Sequence, residues 1–397
     1  MMDCHGWQPR LQALRRAAAA LCGAEPPWDA AWRRRLSDES GLSLPMVAWA
    51  LESTLAAAES GLAAELDALY GAAVSPTSPR VAPAGKVLVV LASNVCTAAW
   101  RAIALPWLVG NHVWVRAAAG HACFAAAVVQ ALHQAAPGVH DSLVWHETPA
   151  GLDAYSHTAQ LAAEVDLLSV YGSDSTVTTL RAACAAATRV VAHGHGLGVA
   201  YLPPGSLCRP EAAQRWLHAL AQDIAAYDQR GCLSPQWVYI DKAAGLTPEA
   251  VAAALHGEAL PTVERNWPRG PLPLAAATPQ WRWRAWAVAT GTLHACPTHA
   301  VAVQNAPAVA RAGPGWRHIV LCPVADPGAW LTHLKPLGAH LKAVGIAGDT
   351  PLQAKLRAAL PAPLAPRITA LGQMQTPSWD AAADGQHPLW PYVRVCR

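Results

Sequence analysis

Between residues 86 and 187 the chain alternates short apolar runs with helical stretches, and this rhythm constrains its fold more than any other feature. Lys86-Val87-Leu88-Val89-Val90-Leu91 is continuous apolar sequence, the mark of a strand buried on both faces. A helical stretch follows from Ala98 to Leu108, then a second strand, His112-Val113-Trp114-Val115-Arg116. The spacing then predicts a helix over 123–134, a strand near 142–145, a helix over 154–163, a strand over 165–171 and a helix over 175–187. Strands that alternate with helices imply a parallel sheet covered on both sides, so the expected class is doubly wound α/β.

The flanks are less regular. Residues 1–70 read as helices, with Ser37-Asp38-Glu39-Ser40 and Ser43-Leu44-Pro45 as natural starts. The loop Val74-Ser75-Pro76-Thr77-Ser78-Pro79-Arg80 is the clearest boundary in the chain. From about 230 to 360 the alternation resumes more loosely. There, Trp281-Arg282-Trp283-Arg284-Ala285-Trp286 has period two, which predicts a half-buried strand with Trp281 and Trp283 on one face.

Composition narrows the class of function. With 397 residues, 53% apolar and 14% charged, the chain is globular and long enough for two or three domains. A net charge of +3 is too small to argue for nucleic acid or an anionic membrane. No apolar run is long enough to cross a bilayer without interruption. The N-terminus, where arginines precede Ala17 to Leu21, continues as a helix and reads as mature protein. Ten cysteines without framework spacing are expected to be reduced thiols of a cytoplasmic protein.

Several motifs bear on chemistry. Tyr227-Asp228-Gln229-Arg230-Gly231-Cys232-Leu233-Ser234-Pro235-Gln236 joins a helix pattern over 211–227 to the strand Trp237-Val238-Tyr239-Ile240. Cys232 thus sits on a short loop between rigid elements, where a fixed backbone aims the sulfur and the loop leaves it reachable; a small apolar filler is the plainer reading. Gly172-Ser173-Asp174 lies where a strand turns into a helix, a place for a phosphate or for a plain N-cap. Asp174 would repel an anion there unless it points away. His193-Gly194-His195-Gly196-Leu197-Gly198 falls short of the dinucleotide fingerprint, because Val199 replaces the last glycine and a strand follows. A glycine-rich turn between strands is expected instead. His294, Cys296 and His299 are the densest His/Cys cluster, without a second pair at zinc spacing.

Together these pieces resemble the acyl-CoA/acyl-protein reductases of the bacterial bioluminescence fatty-acid reductase type, a branch of the aldehyde dehydrogenase superfamily. The residues that carry the likeness are 228–236 around Cys232, Tyr171-Gly172-Ser173-Asp174, the 193–198 turn, and a closing segment, Arg367-Ile368-Thr369-Ala370-Leu371-Gly372-Gln373-Met374-Gln375-Thr376-Pro377 with Asp384-Gly385. It spans roughly residues 80–397. It implies an aldehyde dehydrogenase-like fold: a helical region 1–80, a nicotinamide-dinucleotide domain 81–226, a cysteine domain 227–365, and a segment 366–397 returning to the cofactor domain or an oligomer edge.

The resemblance also implies roles. Cys232 becomes the nucleophile, and Asn94, after the first sheet strand, an oxyanion donor beside the Cys232 N–H. Arg116 stands where the family has a ribose-contacting lysine; its fork suits a 2′-phosphate, which favours NADPH over NADH. Gly172 and Ser173 approach the pyrophosphate. Aldehyde-oxidising relatives carry a glutamate base in the segment that here reads Val191-Ala192-His193-Gly194-His195-Gly196, and none is present. The expected reaction is reduction of an acyl-CoA or acyl-carrier-protein thioester to the aldehyde through acyl-Cys232. Rivals are the CoA-acylating reverse reaction and a non-redox acyl carrier. Arg230 would help to ionise the thiol, whereas Asp228 and the preceding helix end would oppose it. Expected partners are the acyl carrier, an acyl-donor enzyme if the N-terminal helices are a docking surface and not simply a cover for the sheet, which is their commoner use, and, by family analogy, further copies of the chain pairing through Tyr392-Val393-Arg394-Val395.

Overall fold

A computed structural model describes residues 6–23, 25–56, 61–71, 80–138, 140–304, 311–382 and 385–396. Residues 74–79 of the expected boundary loop and Asp384 of the closing motif lie outside them. The chain opens with four helices, α1 (Gln8–Cys22), α2 (Ala30–Ser40), α3 (Leu44–Ala56) and α4 (Leu62–Gly71). Ser43 starts α3 as expected, but residues 37–40 end a helix: α2 is capped at its start by the Asp29 carboxylate and stops at Gly41, whose φ of 65° only glycine adopts cheaply.

Next come β1 (Arg80–Pro83), β2 (Lys86–Val90), α5 (Ala98–Leu108), β3 (His112–Arg116), α6 (Cys123–Ala135), β4 (Leu143–Trp145), α7 (Ala154–Ala163), β5 (Leu167–Tyr171), α8 (Asp174–Ala183) and β6 (Arg189–His193). Strands β2 to β6 form a five-stranded parallel sheet in the order β4-β3-β2-β5-β6. Alternate residues of β2 serve opposite faces. Val87 and Val89 join α1, α3, α5 and α6 in one core, while Leu88 and Val90 join α7 and α8 in another. The N-terminal helices therefore cover one face of this sheet.

The remaining elements are β7 (Leu197–Leu202), α9 (Pro210–Ala225), β8 (Pro235–Asp241), α10 (Pro248–Ala254), α11 (Leu260–Asn266), α12 (Leu274–Thr290), β9 (Thr292–Ala295), β10 (Ala300–Val303), β11 (His318–Val324), α13 (Pro327–Leu334), β12 (Leu341–Ile346), α14 (Thr350–Ala359), β13 (Arg367–Ala370) and β14 (Val393–Cys396). Seven of the strands make a second sheet, β13-β12-β7-β8-β11-β10-β9, parallel except for β9. The chain changes sheets in the 193–198 turn, well before residue 227, so β7 and α9 pack with the seven-stranded sheet.

The stretch 281–286 is not a strand. It lies inside α12, with Trp281 73% exposed and Trp283 6% exposed, so the two indoles do not share a face. The buried positions Gln280, Trp283 and Ala287 have helical spacing, which a six-residue window of alternating Trp and Arg conceals. Residues 392–395 pair within the chain: β14 runs antiparallel to β1, from Arg80 opposite Cys396 to Pro83 opposite Val393. Asn111 donates to the Tyr392 carbonyl, and Tyr392 and Ser169 share a hydroxyl contact, which anchors the returning segment on the five-stranded sheet.

Candidate active site

The five-stranded sheet offers the carboxyl ends of its strands, and the seven-stranded sheet the amino ends of β7, β8, β12 and β13, to one cavity of about 1220 Å³. Asn94, Gly172, Ser173 and Cys232 all line it. The strand order reverses at β2, and its neighbour β5 leads into Gly172 and Ser173; in open α/β sheets ligands bind at such a switch point.

The cysteine loop is built by an unusual backbone. Helix α9 ends at Ala225, short of residue 227, and Tyr227, Asp228 and Gln229 follow with φ of 52°, 51° and 59°. Three successive residues with side chains in the left-handed region cost energy that only tertiary contacts can offset. Those contacts are explicit. The buried Asp228 carboxylate accepts from Arg317 Nε at 3.0 Å and Nη2 at 2.7 Å, and from the Gly270 N–H. Gln229 donates to the Pro235 and His318 carbonyls and accepts from the His318 N–H. The Tyr227 hydroxyl meets Thr97 at 2.8 Å, and burial pushes its pKa up to about 12.

The loop is clamped from three further sides. Asn94 Nδ2 donates to the Arg230 carbonyl at 3.0 Å. The Gly198 N–H donates to the Ser234 carbonyl at 2.9 Å, so close that a Cβ on Gly198 would stand 2.4 Å from the Leu233 carbonyl oxygen. A Cβ on Gly231 would meet Gln375 Oε1 at 3.1 Å. Cys232 is exposed at the apex. Arg230 turns away from it, donating to the Ser40 carbonyl and stacking over Trp316. Asp228 likewise pairs with Arg317, so both charges weighed from the sequence serve the framework of the loop.

On the opposite wall, Ser173 is the N-cap of α8, accepting from the Thr176 N–H at 3.2 Å. Asp174 points away from the turn and accepts from the His195 N–H at 2.9 Å. That contact ties α8 to the glycine-rich turn, which does connect two strands, and a Cβ on Gly194 would lie 2.5 Å from Asp174 Oδ1. Tyr171 stacks on His193 with ring centroids 4.1 Å apart. Arg116, buried at the end of β3, is not among the residues lining the cavity; it donates to the Ala117 carbonyl and to the Thr148 hydroxyl, and its Nε has no partner.

Cys296 and His299 join a hydrogen-bonded cluster, and the His294 ring stands beside it, 5.8 Å from that of His256. His299 contacts Cys296 Sγ and Glu264 at 3.3 Å and His256 at 3.0 Å. Among the described residues no group of three or more His, Cys, Asp and Glu is placed to hold a metal ion. Nine described cysteines stand outside any disulfide, and no described helix is long and apolar enough to cross a membrane.

Sequence reasoning missed two features of this site. One is the Asp228–Arg317 pair, which is 89 residues apart in sequence. The other is Arg367, noted only as part of the closing motif. Its side chain lines the cavity and donates to the Gln373 and Met374 carbonyls. No local periodicity signals either.

No curated protein sequence matches the chain. Among solved structures, aldehyde dehydrogenase 21 from Physcomitrella patens, in complex with succinate, superposes with a TM-score of 0.73 at 14% identity, covering 98% of this chain and 85% of that one. An NAD-dependent benzaldehyde dehydrogenase from Corynebacterium glutamicum does so at 0.69 and 15%, covering 97% and 82%. A 3,6-anhydro-L-galactose dehydrogenase in complex with NAP gives 0.70 and 13%, covering 98% and 86%. The family model described as acyl-CoA reductase (LuxC) matches residues 72–395. The chain is therefore an oxidoreductase with the aldehyde dehydrogenase fold and belongs to the LuxC acyl-CoA reductase family.

Proposed function

We propose that the protein reduces an acyl thioester, carried by CoA or an acyl-carrier protein, to the aldehyde with NADPH, and that Cys232 carries the acyl group. The observation that supports this most is the placement of an exposed thiol, on a loop held from several sides, in one cavity with the Asn94 amide and the Gly172-Ser173 turn. The Cys232 thiolate attacks the acyl carbonyl, and the carbonyl electron pair moves onto oxygen. Asn94 Nδ2 rests on the Arg230 carbonyl, two residues from the sulfur, and re-aims from it to donate to that oxyanion. The oxyanion collapses, the carrier thiolate leaves and takes a proton, and the acyl group stays on sulfur. Exchanging one thioester for another is nearly balanced, so the protein's work is orientation and charge stabilisation.

The residues present suit a nicotinamide dinucleotide. Gly172 offers a backbone without Cβ beside the α8 start, and Asp174 is turned to His195 and leaves the turn open to an anion. Arg116, buried at the end of β3 with an unpartnered Nε, would hold a ribose 2′-phosphate there, which supports NADPH. NADPH, when bound, supplies the hydride that reduces the acyl group. Cys232 then leaves as thiolate when the thiohemiacetal collapses to aldehyde. The cavity segment 193–196 carries histidines and glycines and no carboxylate, so it brings no glutamate to activate water against the acyl-enzyme. A thiol that must stay reduced fits a cytoplasmic setting.

The test is NADPH consumption with a panel of acyl-CoAs, in wild type and Cys232→Ala. Turnover that requires both the acyl-CoA and Cys232 is expected. Equal turnover in the variant would end the reading. Replacing NADPH by NADH in wild type and Arg116→Ala tests the cofactor preference, which should narrow in the variant.

A further inference from the structure

We propose that Arg367 is the positioning residue that keeps Cys232 in its reactive thiolate form, by presenting a guanidinium held against the cysteine loop. This rests on the reading of Cys232 as nucleophile. Arg367 opens β13 and lines the same cavity as Cys232. Its Nη2 donates to the Gln373 and Met374 carbonyls, while Asp223 on α9 accepts from the Gly372 and Met374 N–H groups at 2.6 and 3.0 Å. The Arg367 guanidinium and the Asp223 carboxyl thus hold one turn from its two sides. That turn bears on the cysteine loop: Gln375 Oε1 lies against Gly231, and the Met374 methyl and the Leu233 carbonyl crowd the same spot over Gly198. The guanidinium is fixed relative to the sulfur through a single short turn. Its Nε has no acceptor.

Of the other charged and titratable groups around the sulfur, several are engaged elsewhere. Arg230 is tied to Ser40 and Trp316, and Asp228 is paired with Arg317. Arg101 on α5 donates to the Ser378, Trp379 and Ala381 carbonyls. Tyr171, whose pKa burial lifts well above the ordinary phenol value, stays neutral. His193, His195 and Lys342 line the cavity on the side of the glycine-rich turn. Burial, then the neighbouring Arg101, lower the Arg367 pKa to about 10, against attraction from Asp223 and Cys232, so the guanidinium stays charged at neutral pH. A nearby cation favours the ionised thiol, and the thiolate is the nucleophile.

The experiment is the pH dependence of Cys232 alkylation by iodoacetamide, read by peptide mass, in wild type, Arg367→Gln, Arg367→Lys and Arg230→Gln. The Arg367→Gln profile should lie about one pH unit above wild type, Arg367→Lys should return most of the shift, and Arg230→Gln should overlay wild type. A role confined to bracing the turn would slow alkylation at every pH without moving the profile. An unmoved Arg367→Gln profile overturns the proposal, and so does a shift in Arg230→Gln. If Arg367→Gln does not fold, the wild-type midpoint and Arg230→Gln decide: a midpoint below the free thiol's value of about 8.5 that Arg230→Gln leaves unmoved upholds it, and a wild-type midpoint at or above about 8.5 overturns it. In parallel, each protein is mixed with an acyl-CoA and weighed intact, with Cys232→Ala as blank. An acyl adduct with unmoved profiles rejects Arg367 and keeps the nucleophile; no adduct in wild type rejects the nucleophile itself.

Discussion

Arg317→Met removes the cation beneath the cysteine loop while keeping much of the side-chain length. Both partners of the pair it breaks are out of water, Arg317 at 0% and Asp228 at 1% exposure. The variant deletes two N–H donors to Asp228, one to the Trp267 carbonyl and a longer contact to Glu264 at 3.4 Å. Among the described residues, Asp228 then keeps the Gly270 N–H as a donor. Breaking a buried pair from one side costs about 3–5 kcal/mol, most of it the penalty of an uncompensated buried charge. Here the left-handed run at 227–229 adds to the cost, since the pair fixes its middle residue. Removing both charges, in Asp228→Asn with Arg317→Met, should recover a large part of the loss, because two neutral groups no longer have to be ionised in a dry interior. Urea unfolding of the two single variants and the double variant measures this as a cycle. A single-variant loss below about 1 kcal/mol, or a double variant as unstable as the sum of the singles, would refute the claim that this pair sustains the strained loop.

Three further outcomes follow from the geometry. Gly198→Ala should cost on the order of 2 kcal/mol and depress thioester turnover more than it depresses cofactor binding, since the added methyl would push on the Leu233 carbonyl; a neutral result in a melting curve and a turnover assay would contradict the close approach. Burial raises the Asp223 pKa from its ordinary 3.8 to about 7, so its share of stability is complete below about pH 4 and is lost as pH climbs through 7; unfolding midpoints of wild type minus those of Asp223→Asn should fall across that window. Asn94→Ala should lower the maximal rate by about 10²–10³-fold with little change in KM if its amide meets the oxyanion, and single-turnover acylation of Cys232 checks it.

Much of the architecture was legible because buried parallel strands are written locally. The bounds expected for α5, β3 and α7 agree with those observed, since each apolar run ends at a glycine, a cap or a polar break. Cys232, Asn94, Gly172 and Ser173, singled out by motif and resemblance, all line one cavity. What lay beyond reach was set by distant contacts. Nothing local announces that Tyr227, Asp228 and Gln229 turn left-handed, because Arg317, His318 and Thr97 hold them there. The helix expected to run to 227 stops at 225 for the same reason. Arg116 was assigned by analogy to the cofactor, and its neighbours here are Ala117 and Thr148. The 281–286 error came from a pattern shorter than two helical turns, in which the aromatic and basic residues alternate by composition and not by face.

The ribbon of β1 and β14 makes residues 80–396 a closed circuit: the two strands run side by side with their outer ends together. Tension applied at Arg80 and Cys396 would load its rungs one after another, like a zipper, and not all at once. Such a seam opens at low force, before either of the larger sheets feels the pull. What it frees is only residues 393–396. Asn111 still holds the Tyr392 carbonyl and Arg101 the Trp379 and Ala381 carbonyls, so a tug at the rim spends itself on the seam and the wall beside the thiol stays in place.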